Sequence, residues 1–171
     1  MKDKIIEETL KKEGLYSNNK YDSGGKTMYG ITEKVARNYG YKGPMNKMPL
    51  STAYEIYSKI YWRKEFEKFN YKIASFLYDC NFNHGYKGMS IILQKSINYL
   101  TKKNIIVDGY AGEITYSNAL KLNQDRLFVV LNAVRCMYYL NICDKNENQE
   151  IFIYGWLSNR IEWKKVGDIL G

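Results

Sequence analysis

Apolar positions recur at helical spacing through most of this chain. Ile5, Ile6 and Leu10, with Thr9, line one side of residues 3–13, while Lys2, Lys4, Lys11 and Lys12 take the other faces. The spacing predicts a first helix there, with Asp3 as its N-cap and Gly14 as its left-handed stop. A short helix is predicted over residues 32–39. Gly43-Pro44 and Pro49 mark residues 40–50 as a loop. Thr52 and Glu55 have capping-box spacing and open a helix to about Phe66, whose face carries Tyr54, Ile56, Tyr57, Ile60, Tyr61 and Trp62. Helical patterns return over 73–82, 87–100, 113–120 and 125–140, and a last helix is expected over 159–170. The runs 104–112 and 141–150 read as loops. Residues 21–31 break the pattern: a Gly24-Gly25 turn precedes the extended run Thr27-Met-Tyr-Gly-Ile-Thr32, which predicts a small hairpin. The class is mainly α with one small β-element. Asn70-Tyr71 is the candidate boundary, dividing residues 1–69 from 70–171, the two parts packed as one compact unit.

Candidate chemistry gathers at that break. Glu13 ends the first helical pattern, Asp22 stands on the turn, and Thr27 opens the extended run. A helix C-terminus is negative, so a glutamate there adds little to stability; the same placement suits a proton donor. Two carboxyl groups facing one cleft are what glycoside hydrolysis requires, one to protonate the leaving oxygen and one to activate water or attack the sugar. Thr27 could hold that water. Read singly, Asp22 could equally serve only its own turn, and Thr27 only the strand.

The run Glu13-Gly14-Leu15-Tyr16, then Asp22-x-Gly24-Gly25-x-Thr27-x-Tyr29-Gly30-Ile31-Thr32, resembles the signature of glycoside hydrolase family 108, muramidases of phages and prophages. Leu15 departs from that signature, which has a second glycine. The resemblance implies a lysozyme-like helical fold with its small β-hairpin or loop beside the active-site cleft. It makes Glu13 the catalytic acid; the Glu, Asp, Thr order is also similar to that of helical phage lysozymes, which implies Asp22 and Thr27 in support, and Tyr16 and Tyr29 are candidates for substrate contact. Phe82-Asn83-His84-Gly85, Leu93-Gln94, Asp108-Gly-Tyr-Ala-Gly112 with Thr115, and Gly155-Trp156 with Asn159-Arg160 resemble the peptidoglycan-binding region that follows in that family. Asn83 and His84 are the substrate-binding candidates there.

Composition narrows the alternatives. Net charge is +8, spread along the chain, which suits an anionic polymer such as bacterial wall. Seventeen tyrosines offer rings for stacking on sugars, though such residues also serve as half-buried core. Cys80, Cys136 and Cys143 are odd in number and lack CxxC spacing, and His84 is the sole histidine. These features argue against a disulfide framework, a zinc site or a Ser-His-Asp hydrolase, so no metal and no cofactor are expected. No concentrated basic face favours nucleic acid.

Residues 1–14 lack the continuous apolar core of a signal peptide, and no stretch approaches a membrane span, so no stable membrane insertion is expected. The expectation is a monomer made in the cytoplasm and passed to the wall by a holin or other export pore, for cell lysis or for wall remodelling during export. The reading is an N-acetylmuramidase acting on peptidoglycan glycan strands. A catalytically degenerate peptidoglycan-binding module is the alternative, with Leu15 as its hint.

Overall fold

The computed structural model describes residues 1–17, 25–102 and 104–162. Helix α1 (Lys2–Lys12) buries Ile5, Ile6, Thr9 and Leu10 along one side, as the stripe of its sequence dictates. Its ends differ from expectation. Asp3 is not the N-cap: it lies in the first turn and accepts a hydrogen bond from the Tyr54 hydroxyl, in a position where the helix field favours an anion. The helix stops because Glu13 itself turns extended, at φ −77° and ψ 141°. Gly14 does not adopt a positive φ.

Strands β1 (Tyr16–Ser17), β2 (Thr27–Met28) and β3 (Ile31–Thr32) form an antiparallel sheet in that order. Met28 pairs with Ile31, so only Tyr29 and Gly30 join β2 to β3. Both have positive φ, 51° and 69°, which a two-residue turn needs to match the strand twist. Thr32 then caps α2 (Glu33–Tyr39), its hydroxyl accepting from the Val35 amide at 3.3 Å. A small β-element forms as expected, but the run 27–32 is not one extended piece: it folds back at Tyr29-Gly30, and most of the expected Gly24-Gly25 turn lies outside the described residues.

Helix α3 (Leu50–Ile56) begins behind Pro49 rather than at a Thr52 capping box. It widens into a π-helical turn, Tyr57–Tyr61, and Trp62 is extended, so no single helix reaches Phe66. In this turn the Trp62 amide reaches back to the Tyr57 carbonyl at 3.2 Å. Buried Asn81 donates to the Tyr61 carbonyl at 2.5 Å, which satisfies an acceptor that the helix end leaves open.

Helix α4 (Tyr71–Leu100) leaves helical geometry at Gly85, φ 67° and ψ 173°. There the chain divides into two compact units, Met1–Gly85 and Tyr86–Gly171. The expected boundary at Asn70-Tyr71 came too early. Ile73, Ala74, Leu77, Tyr78 and Cys80 are buried, and Tyr78 packs on Trp62 at 5.6 Å between ring centroids, so the first half of α4 completes the first unit's core. A polar Asn-Tyr pair marks a helix start as readily as a domain boundary.

The second unit continues with α5 (Glu113–Leu120), α6 (Gln124–Lys145) and α7 (Glu150–Arg160). Helix α6 outruns its expected end at residue 140, and α7 begins where a loop was expected. Tertiary contact accounts for α7, since Trp156 stacks on Tyr139 of α6 at 5.2 Å and overrides the weak helix propensity of Ile-Phe-Ile-Tyr-Gly. The last helix expected over 159–170 falls mostly outside the described residues. Contrary to expectation, α6 is long and apolar enough to cross a membrane by length and composition. Here it buries Leu127, Phe128, Leu131, Val134 and Tyr139, the habit of a core helix.

Candidate active site

Glu13 leaves α1 half-buried, and its carboxylate lies against the β2–β3 turn. A Cβ built on Gly30 would stand 2.9 Å from Glu13 Oε2 and 3.0 Å from the Phe82 ring. The missing side chain at Gly30 is therefore what admits both groups to the turn. Phe82 in turn sits on two tyrosines, with ring centroids 4.8 Å from Tyr57 and 5.0 Å from Tyr61. Tyr57 is fully buried and donates its hydroxyl to the Tyr29 carbonyl at 2.7 Å. That bond pins the residue preceding Gly30, so the acid, the turn and the aromatic floor form one connected assembly. Burial pushes the Tyr61 phenol above its ordinary value, which keeps it a neutral hydroxyl at neutral pH. A carboxyl group set against a turn that the core pins has few orientations, as directed proton transfer requires.

The other expected residues are dispersed around this centre. Thr27 is half-buried on β2, opposite Thr32 and Ser17; it alternates with buried Met28, so its hydroxyl is on the opposite sheet face. Tyr16 lies exposed on β1. Tyr29 forms the turn and contributes its carbonyl to Tyr57. Asn83 is exposed and donates to its own helix, to the Asp79 carbonyl at 2.8 Å and carboxylate at 3.2 Å. His84 is half-buried just before the break at Gly85. Asp22 lies outside the described residues.

Sequence reasoning missed the parts played by Gly30, Tyr57 and Phe82. All three stand in stretches the sequence singled out, but a glycine in a motif and aromatics on helix faces do not announce that they build the turn beside a carboxylate.

Residues 6–85 match a family model described as glycosyl hydrolase 108, and residues 89–161 match one described as a predicted peptidoglycan domain. The first unit belongs to glycosyl hydrolase family 108. The family 108 match ends at Gly85, where the first unit ends. A search of curated proteins found no match. Among solved structures, that of Brucella abortus SagA has a similar fold, with a TM-score of 0.76 and 22% identity over 93% of this chain and 88% of that one. The protein is a glycoside hydrolase of peptidoglycan, mainly α and lysozyme-like, whose second unit matches the peptidoglycan domain model.

In that second unit the Leu-Gln and Asp-Gly-x-x-Gly elements form a clamp. Buried Gln94 donates to Asp108 at 2.7 Å and to the Tyr110 carbonyl at 3.0 Å, and accepts from the Gly109 amide at 3.0 Å. Asp108 also accepts from the Tyr110 amide at 2.8 Å. The Gln94 bond first, then the Tyr110 amide, holds the Asp108 carboxyl below its ordinary value of 3.8. The stabilisation is thus complete above that value and is lost as pH falls through the lower folded one. A Gln94→Ala variant should unfold the second unit earlier, by about 2 kcal/mol from the stranded Gly109 amide and the lost bonds to Asp108 and the Tyr110 carbonyl. It should also lose part of the acid dependence below pH about 4. Thermal unfolding from pH 2 to 6 checks both; parallel curves for variant and parent would disprove the clamp.

Proposed function

We propose that this protein is an N-acetylmuramidase. It hydrolyses the β-1,4 bond between N-acetylmuramic acid and N-acetylglucosamine, with Glu13 as the general acid. The observation that carries this reading is the seat of the Glu13 carboxylate against Gly30 of the β2–β3 turn, inside the stretch that matches the hydrolase family. The only hint towards a degenerate binding module was Leu15, and its side chain is 71% exposed with no positive φ. Its bulk stands in solvent rather than on the acid.

The products test the bond assignment. Digests of purified walls should carry new reducing ends on N-acetylmuramic acid. Reducing ends on N-acetylglucosamine, or anhydro-muramyl ends formed without water, would reject it.

In this reading Asp22 and Thr27 hold the water. Asp22→Asn and Thr27→Ala should each lower the clearing rate about tenfold or more at near-native melting temperature. A rate that falls only in step with the melting temperature would make both residues structural. Tyr16, Tyr29, Asn83 and His84 complete the proposed substrate contacts.

The protein reaches the wall from the cytoplasm through a holin-type pore or another export device, and acts there as a monomer. Co-expression tests the route: cells should lyse only when pore and hydrolase are made together. Lysis by the hydrolase alone would reject it.

A further inference from the structure

Tyr110 is a large side chain that the fold holds firmly but does not bury. It is 67% exposed, yet every backbone group around it is engaged. Its amide donates to Asp108 at 2.8 Å, and its carbonyl accepts from Gln94 and from the Gly112 amide, each at 3.0 Å. The next residue, Ala111, is buried and donates its amide to Ser90 at 3.0 Å. Its carbonyl takes the Tyr86 hydroxyl at 2.6 Å.

The ring is seated as well as the backbone. Tyr86 props it edge-on, with centroids 5.9 Å apart and planes at 73°. A Cβ at Gly112 would come within 3.2 Å of its Cε1, so that glycine leaves room for the ring. Ile106, Val107 and Ile114 beside it in sequence are exposed too. Such fixation is wasted on a merely solvated side chain. It removes in advance the ordering entropy that binding would otherwise cost. A preset aromatic ring open to solvent suits the flat C–H face of a pyranose.

We infer that Tyr110, propped by Tyr86 and set by the Gln94 clamp, is the platform on which the second unit stacks a sugar ring of the peptidoglycan glycan strand. This inference rests on the reading of the chain as a wall hydrolase and places the wall-gripping contact at one side chain. Lys87, whose stem runs beside Gly109, adds a cation suited to the carboxylates of the wall polymer.

Binding is measured on full-length protein carrying Glu13→Gln, so that the wall is not consumed, by co-sedimentation with purified sacculi. Tyr110→Ala should weaken binding about three- to tenfold. Tyr110→Phe should retain it, and chitotetraose should compete with the sacculi. Tyr99→Ala, which removes another exposed tyrosine of this unit, should leave binding unchanged. Equal binding by Tyr110→Ala and its parent overturns the inference, as does competition by free stem peptide in place of chitotetraose. Cleavage products do not enter this readout, so a wrong bond assignment and a wrong platform are told apart.

Discussion

A Glu13→Gln variant will fold, hold its melting temperature within a few degrees and fail to clear walls. Glutamine keeps the size of the side chain against Gly30 but carries no acidic proton to give. Loss of a positioned general acid lowers rates by about two to four orders of magnitude. The measurement is turbidity of purified cell walls beside a thermal melt. Clearing at the parental rate would remove Glu13 from the mechanism.

A Gly30→Ala substitution should do nearly as much damage by another route. The backbone there has φ 69°, which disfavours any side chain by about 1–2 kcal/mol. The added methyl would also meet Glu13 Oε2 at 2.9 Å and Phe82 at 3.0 Å, forcing the acid aside. Displacing a reacting group by about 1 Å can lower the rate roughly a hundredfold. Gly25→Ala is the matched control. It shares the positive φ, at 66°, but its new methyl meets nothing within 4 Å among the described residues. It should lose stability yet keep its rate per folded molecule. Equal rates for the two variants, corrected for folded fraction, would show that the contact with Glu13 is idle.

The comparison of sequence and structure turns on range. Local signals read well. Thr32 opens its helix, and Glu113–Leu120 is helical as its pattern says. These depend on neighbours along the chain, which the sequence displays directly. The failures involve distant partners. Asp3 left its capping role for Tyr54, α7 formed because Trp156 had Tyr139 to stack on, and α4 joined the first core through Tyr78 and Trp62. The site divides the same way. Glu13 stood out as a chemical group in a motif, whereas Phe82 and Tyr57 gather at the turn beside it only through folding. Nothing in a helix-face periodicity distinguishes an aromatic that floors an acid from one that fills a core.

The brevity of the β2–β3 connection bears on how this enzyme can change in length. With Met28 paired to Ile31 and only two residues between them, an inserted residue would slide the register by one. Ile31, now fully buried, would turn its side chain to the opposite face, and a residue with a side chain would replace Gly30 beside Glu13. Insertions and deletions are barred there by the core and by the acid together. Segments that vary in length between related enzymes must therefore enter the chain elsewhere.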